Sequence, residues 1–235
     1  MKKIIIIGSG IAGLAAANYL NSKNLKITVF DKGKYPGGRI STRKNKDLIF
    51  NHGAQFFTAK SSEFKKLCQL GVDDKVLINW QTSKNKDMFI GNPDMREFPF
   101  WFSKNLKIHQ ETVVERINYI NQFNVYTKNN KHTCDGLIVT APSLQTAKLI
   151  SDLDDDIFKK IQDVSYFPCW CVMLSISDLN LKHFDTDEKS IFSWIISENY
   201  KIENSLNHNC ITIHTNEKFS MDNLDEKKEV VLDKI

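Results

Sequence analysis

Arginine and clustered positive charge are scarce in this 235-residue chain. Only 4 of the 32 basic residues are arginines, and no run of Lys or Arg is longer than two residues. Proteins that read nucleic acids depend on arginine forks and on patches of basic residues, so a nucleic-acid partner is not expected. The net charge is +4, and we interpret the dispersed lysines as a solvating surface.

Cysteine is also scarce, and the motifs of several enzyme classes are missing. The five cysteines are an odd number without a CxxC pair, which argues against a disulfide scaffold and favours a reducing, cytoplasmic location. We expect Cys169 and Cys171 to be small buried hydrophobes. The six histidines have no HxxxH or HExxH spacing, and the acidic cluster Asp152–Asp156 lacks EF-hand spacing, so no metal is predicted. GxSxG is absent, as is any apolar run long enough to cross a membrane.

The N-terminal segment allows two interpretations. A basic start at Met1–Lys3, four isoleucines and the small residues Ala15–Ala17 imitate a secretory signal. The alternative is a buried strand, a glycine turn and a helix. Gly8, Gly10 and Gly13 favour the alternative, because GxGxxG directly after an apolar strand is the dinucleotide-binding fingerprint.

The residues around the fingerprint predict a βαβ unit. Strands are expected over Lys2–Ile7 and Leu25–Phe30, with a helix over Ile11–Asn21 between them. Asp31 follows the second strand, at the position where an acid accepts hydrogen bonds from a ribose diol. A carboxylate there repels a 2′-phosphate, so the tightly held nucleotide is not expected to be NADP.

Each glycine of the fingerprint has its own predicted task. Gly8 permits the tight turn, Gly10 lets a pyrophosphate approach the backbone, and Gly13 lets the helix pack against the strand. The N–H groups at the helix start then face the phosphates.

A second glycine pair follows six residues after Asp31. Gly37 and Gly38 allow close approach of the backbone to a ligand, and Arg39 offers a planar fork of donors to a pyrophosphate. The alternative is a surface turn that happens to carry an arginine.

These motifs together resemble those of amine-oxidase-like flavoproteins, and within them the renalase-like oxidoreductases. The stretch Phe50–Ala59 (FNHGAQFFTA) is similar to the DHGAQYFTA stretch of that group, and Asp31–Gly33 and Gly37–Arg43 also fit it. Looser similarity continues through Glu111–Ile117 and Asp135–Pro142 into the second half of the chain.

The resemblance implies an α/β fold with non-covalent FAD as cofactor. A Rossmann-type FAD/NAD(P)-binding domain would be joined to a second, mixed-sheet substrate domain, in a p-hydroxybenzoate-hydroxylase-like architecture. We place the FAD-binding domain at residues 1–60 and 100–150, and the substrate domain at 61–99 and 151–235. The predicted cofactor-binding residues are Gly8, Gly10, Ile11, Ala12, Gly13, Asp31, Lys32, Gly38, Arg39, Ala54, Gln55 and Val114.

Three residues are candidates for the reaction pocket: His52, Gln55 and Trp194. The alternative for His52 and Gln55 is that they are buried and satisfy backbone groups. Trp170 is a further candidate for the wall of the ring site, but core packing is the favoured interpretation for it.

The implied reaction is hydride transfer from a small substrate to flavin, with molecular oxygen as re-oxidant and hydrogen peroxide as product. The resemblance implies dihydropyridine isomers of NAD(P)H as substrate, a nicotinamide dinucleotide. Oxidation of an amine or a carbocyclic C–H bond is the second enzymatic interpretation. A non-catalytic fragment that binds nucleotide weakly is the third.

Two features of this sequence depart from the pattern of the renalase-like family. Asn51 stands where the family usually has Asp. The family usually continues through a strand, a Gly-Asp turn and a helix that close over the cofactor, whereas this sequence stops at Ile235. We therefore expect a truncated product, a fragment or a reduced family member.

Further elements are predicted outside the fingerprint. Helices are expected near 61–70, 144–162 and 222–235, strands near 170–177, 191–196 and 210–215, and a polar turn at Ser83–Asp87.

Overall fold

A computed structural model describes residues 1–80, 88–177, 189–201 and 209–235. The turn predicted at Ser83–Asp87 lies outside these residues. Within them, no helix combines the length and the apolar character needed to span a bilayer.

Fifteen strands lie within the described residues. They are β1 (Lys3–Ile7), β2 (Lys26–Phe30), β3 (Arg43–Asn45), β4 (Leu48–Phe50), β5 (Phe57–Thr58), β6 (Leu77–Asn79), β7 (Met88–Gly91), β8 (Ile108–His109), β9 (Val114–Ile120), β10 (Gln122–Thr127), β11 (Lys131–Cys134), β12 (Gly136–Val139), β13 (Cys171–Ile176), β14 (Phe192–Ser197) and β15 (Asn209–Thr215).

Eight helices accompany them in the same part of the chain. They are α1 (Ile11–Asn21), α2 (Ser62–Asp73), α3 (Glu97–Ser103), α4 (Ser143–Ile150), α5 (Asp155–Ile161), α6 (Glu198–Lys201), α7 (Glu217–Asp222) and α8 (Lys228–Leu232).

The predicted βαβ unit is confirmed as part of a four-stranded parallel sheet. The strand order is β12-β1-β2-β8, with α1 connecting β1 to β2. The isoleucine-rich β1 is central, so Ile6 is fully buried, as is Val29 of β2. This is the Rossmann-type α/β fold that the sequence predicts.

Contacts divide the chain into two compact units. The first contains Met1–Ser41 and Phe56–Ser165, and the second contains Thr42–Gln55 and Tyr166–Ile235. The first unit holds the parallel sheet, the antiparallel sheet β11-β10-β9 and the small sheet β5-β7-β6. The division into an FAD-binding domain and a substrate domain is a functional assignment, and it stays a prediction.

The second unit contains an antiparallel sheet of order β13-β15-β14 and the hairpin β3-β4. Its core cluster is Val172, Ile211 and Ile213, from the two neighbouring strands β13 and β15.

Two predicted helices differ from the structure. The helix expected over 144–162 is two helices, because the Asp154 carboxylate accepts a hydrogen bond from Ile157 N at 2.9 Å and begins α5 as a new helix. The helix expected over 222–235 is only α8. Asn223 is instead the C-cap of α7, and Lys227 in an extended conformation is the N-cap of α8.

Candidate functional site

The carboxyl ends of three parallel strands meet at one edge of the sheet in the first unit. Gly8 follows β1, Asp31 follows β2 and Thr140 follows β12. Gly8 N donates to Phe30 O at 2.8 Å, and Thr140 N donates to Ile7 O at 2.8 Å, so the three strand ends are tied together. Ligands of open α/β sheets bind at this kind of edge.

The three fingerprint glycines are required for different reasons. Gly8 has a φ of +105°, a conformation that favours glycine. A Cβ on Gly13 would lie 1.9 Å from the carbonyl oxygen of Gly8, so only glycine allows α1 to pack on the turn. A Cβ on Gly10 would meet no atom within 4 Å. The space above Gly10 is therefore open in the protein.

Asp31 is oriented by backbone donors. Its Oδ2 accepts from Ser9 N at 2.5 Å and its Oδ1 accepts from Gly33 N at 2.6 Å. Each carboxylate oxygen has further acceptor capacity, so hydrogen bonds to a ribose remain available.

The double-glycine loop lies directly on the fingerprint turn. Gly37 N donates to Ser9 O at 2.8 Å, and Gly37 and Gly10 form an isolated parallel bridge. Gly37 and Gly38 have φ angles of +116° and +56°, and a Cβ on Gly38 would lie 3.4 Å from the Cα of Gly10. Both glycine motifs therefore contribute backbone to one place.

These residues surround a cavity of about 710 Å³ within the first unit. That volume is in the range of small-molecule and cofactor sites. Nine of the twelve predicted cofactor-binding residues line it: Gly8, Gly10, Ile11, Ala12, Asp31, Lys32, Gly38, Arg39 and Val114. Gly13 lies beneath the turn, and Ala54 and Gln55 belong to the second unit.

Some lining residues were not predicted. Gln145, Lys148 and Leu149 of α4 line the cavity, as do Thr112 and Glu115 beside Val114. The i, i+3, i+4 spacing on α4, directly after the Ala-Pro turn, is the signal that could have identified its three residues. Three phenylalanines also contribute to the wall: Phe57, Phe64 and Phe98.

The cavity residues fit a dinucleotide. Gly10 is the N-cap of α1 without a side-chain cap, so the N–H groups of the first helical turn have no capping acceptor. An anion above Gly10 would meet these donors and the positive end of the helix dipole. Arg39 lines the same cavity and supplies a cation for a pyrophosphate.

The second unit contains the pocket candidates. Gln55 is buried, its Oε1 accepts from Lys201 Nζ at 2.7 Å, and its Nε2 donates to the carbonyl oxygen of Asn51. His52 O lies 3.1 Å from His214 Nε2. Trp194 of β14 is paired in register with His214 of β15. The roles of His52, Gln55 and Trp194 in a reaction stay predictions.

Two further side chains of the second unit, Trp170 and His214, have defined contacts. Trp170 Nε1 donates to Asn223 O at 3.1 Å, which is a structural contact. Burial lowers the pKa of His214 below its ordinary value, and the His52 carbonyl opposes that fall.

The cysteines differ in accessibility. Burial raises the pKa of Cys68 to about 11 and that of Cys171 to about 12, so neither is a reactive thiolate at neutral pH. The expectation that Cys169 and Cys171 are buried is wrong: Cys169 is exposed, because it precedes β13 rather than lying within the sheet, and Cys171 at the start of β13 is half-buried.

Residues 6–69 match the model of the NAD(P)-binding Rossmann-like domain. The sequence is 48% identical over 58 residues to the 1-hydroxycarotenoid 3,4-desaturase of Flavobacterium sp. (strain P99-3), covering 25% of this chain and 12% of that protein. It is 35% identical over 75 residues to protoporphyrinogen oxidase 2 of Arabidopsis thaliana, covering 32% and 15%. It is 28% identical over 129 residues to the L-amino-acid oxidase of Crotalus adamanteus, covering 51% and 25%. The chain thus spans between 12% and 25% of the length of these curated relatives.

Solved structures share the fold over nearly all of this chain. A protein described as a protoporphyrinogen oxidase, from Exiguobacterium sp. 255-15, superposes with a TM-score of 0.77 at 13% identity, covering 99% of this chain and 81% of that one. Wild-type putrescine oxidase bound to putrescine gives a TM-score of 0.67 at 9% identity, covering 98% and 79%.

The comparisons establish a Rossmann-type nucleotide-binding domain. They also show homology to proteins of the flavin amine-oxidase superfamily.

Proposed function

We propose that this chain binds FAD non-covalently and belongs to an oxidoreductase that acts on a small molecule. The observation that carries the proposal is the cavity in which Asp31, Arg39 and the open space above Gly10 lie together. The relatives are a desaturase and two oxidases, which supports an oxidation as the reaction.

In this proposal the residues of the cavity hold the two halves of the dinucleotide. Asp31 accepts from the adenosine ribose, and the main chain at Val114 holds the adenine. The first turn of α1 and Arg39 bind the pyrophosphate. When bound, FAD would supply a hydride acceptor that molecular oxygen could re-oxidise, with hydrogen peroxide as the product.

For the substrate, we propose dihydropyridine isomers of NAD(P)H, as the renalase-like stretch Phe50–Ala59 suggests. A dihydropyridine is already electron-rich through its ring nitrogen, so its oxidation requires no protein nucleophile or general base. Among the described residues, no group of three His, Cys, Asp or Glu side chains is placed to hold a metal.

Amine oxidation is the second candidate, favoured by the similarity to L-amino-acid oxidase. An amine must be unprotonated to donate a hydride, so flavin reduction by amines should accelerate steeply with pH. Reduction by dihydropyridines should change little over the same range.

The first test is whether the purified protein is yellow, with absorbance bands near about 370 and 450 nm. Stopped-flow reduction of the flavin between pH 6 and 9 then separates the substrates. Rapid, nearly pH-independent reduction by dihydropyridine isomers supports the first proposal. Reduction by amines alone, rising with pH, replaces it with the second candidate. A colourless protein that takes up no FAD identifies a non-catalytic fragment.

A further inference from the structure

The second unit contains a buried ion pair to which no role has been assigned. Glu198 and Lys201 form the two ends of the one-turn helix α6, and each is 6% exposed. Lys201 Nζ lies 2.6 Å from Glu198 Oε2. Two charged side chains on a single helical turn are thus enclosed by protein.

The Glu198 carboxylate binds Asn51, Thr212 and Lys201. Its Oε1 accepts from Asn51 N at 2.9 Å and from Thr212 Oγ1 at 2.5 Å. Its Oε2, which pairs with Lys201, also accepts from Asn51 Nδ2 at 2.8 Å. The side-chain amide of Asn51 therefore shares one carboxylate oxygen with the ammonium of Lys201.

Lys201 engages the other end of the same segment. Its Nζ donates to Gln55 Oε1 at 2.7 Å, and Gln55 Nε2 donates back to Asn51 O. Thr42 Oγ1 donates to Asn51 Oδ1 at 2.8 Å. Both ends of the segment Asn51–Gln55 are therefore attached to α6, and both side-chain amides are held in one orientation.

Net stability is a poor explanation for such a pair. The cost of removing two charges from water roughly cancels their attraction, whereas deleting one partner leaves an uncompensated buried charge. Burial lowers the pKa of Lys201 below its ordinary value, which reflects that cost, and the Glu198 carboxylate opposes the fall. What the network does achieve is a single arrangement of the attached segment.

We propose that Glu198 and Lys201 are positioning residues that fix the segment Asn51–Gln55, which carries His52 and Gln55, and that this network accepts only one carboxylate, Glu198, so that residue 51 must be neutral. Lys201 fixes the orientation of the Gln55 side-chain amide. Glu198 fixes the side chain of Asn51 and the main chain that leads into His52.

This arrangement explains why residue 51 is neutral. An aspartate at 51 would place a second carboxylate at the position of Asn51 Nδ2, 2.8 Å from Glu198 Oε2. Two buried carboxylates at that distance repel, and one must be protonated or displaced. Because Glu198 already supplies the carboxylate of this network, a neutral amide at 51 is the residue that fits.

The test is a pair of double-mutant cycles read by melting temperature and by NMR hydrogen exchange of the Gln55 side-chain amide. N51D alone should lower Tm by about 10 °C, and N51D/E198Q should recover most of the loss because one carboxylate again faces Lys201. The matched control is E229Q/K228M, which removes an exposed pair 3.7 Å apart and should leave both readouts unchanged. If N51D is as stable as wild type, or E198Q gives no recovery, the requirement for a neutral residue at 51 is wrong.

The second cycle separates positioning from stability. K201M should lower Tm by about 10 °C, whereas E198Q/K201M should melt near wild type, because no charge is left unpaired. In E198Q/K201M the Gln55 amide should nevertheless exchange at least about 10-fold faster, because its ammonium donor is gone. Unchanged exchange there would overturn the positioning role.

The consequence for the reaction depends on the proposed function. With flavin content unchanged, flavin reduction in E198Q/K201M should slow about 10-fold or more. Wild-type reduction rates at normal flavin content would contradict this consequence. The two proposals can be contradicted independently. If the wild-type protein binds no FAD, the proposed function is wrong, but Tm and hydrogen exchange of the Gln55 amide still test the positioning role of Glu198 and Lys201.

Discussion

At the scale of single residues, Gly10 and Gly13 belong to one motif but make opposite predictions. Gly10 has an ordinary φ of −65° and open space around it, so G10V should melt at the temperature of the FAD-free wild type and should not bind FAD. G13V should lose stability instead, because its Cβ would overlap the carbonyl oxygen of Gly8. Thermal melting and flavin content of the two variants, measured together, test this. FAD retained in full by G10V would mean that the motif is only a structural turn.

Asp31 is expected to bind ribose while it also orders the turn. D31A should weaken FAD binding at least about 10-fold, since a hydrogen bond to a charged acceptor contributes about 1.5–3 kcal/mol. Flavin remaining after dialysis is the measurement, and D163A, at an exposed position, is the matched control. Equal flavin content in D31A and D163A would remove Asp31 from the site.

Which site residues the sequence could predict depends on how local their constraints are. One turn and the two strand ends beside it fix the positions of Gly8, Gly10 and Asp31 at the cavity. Their spacing in the sequence is therefore enough to predict that they lie there. Glu198 and Lys201 were missed because their partners, Asn51 and Gln55, lie about 146 positions earlier and only folding brings them together. Lys148 is different, because the i, i+3, i+4 spacing of Gln145, Lys148 and Leu149 on α4 is a local signal that could have identified it.

At the scale of elements, the predicted bounds of strands were accurate where a continuous apolar run ended at a turn residue or a charged residue. The strands β1, β2 and β15 have continuous apolar or β-branched runs, and their predicted bounds differ from the structure by about one residue. Residues 144–162 have helical periodicity throughout, which predicted one helix. The structure has two, because the Asp154 side chain caps a new helix, and hydrophobic periodicity contains no information about such a cap.

We expect the first unit to lose stability in acid because of the histidines packed against the end of β2. The ring of Phe30 lies 4.7 Å from that of His132 and 5.1 Å from that of His109. Burial, then His109 and Lys107, lower the pKa of His132 below its ordinary value of about 6.5. Below that value the unfolded state binds more protons than the folded state, so the free energy of unfolding should fall as pH drops from about 6.5 through the folded pKa.

The variant H132Q tests this acid sensitivity. Its free energy of unfolding should decrease less between pH 7.5 and pH 5 than that of the wild type, in urea titrations at both pH values. Identical losses in the two proteins would show that His132 does not contribute.

At the scale of the whole molecule, ligand binding should appear as stability. If FAD binds the folded cavity, then 100-fold excess over its Kd should raise the free energy of unfolding by about 2.7 kcal/mol. Riboflavin lacks the adenosine and pyrophosphate, and NADP+ would bring a 2′-phosphate to Asp31, so neither should match FAD at equal concentration. Urea unfolding with each ligand provides the comparison. Equal stabilisation by NADP+ would contradict the assigned role of Asp31.

The hydrogen bonds of the two glycine loops connect the loops to each other and to Asp31, which matters for protein engineering. Gly37 N is bonded to Ser9 O, Ser9 N to Asp31, and Asp31 to Gly33 N. If a segment that ends at Asp31 were grafted onto another scaffold, Ser9 O would lack the hydrogen bond from Gly37 N. The Asp31 carboxylate would also lack the hydrogen bond from Gly33 N. The smallest transplantable module therefore runs from β1 through Gly38, and a designer who shortens the loop between Asp31 and Gly37 should expect to lose the site even with every fingerprint glycine retained.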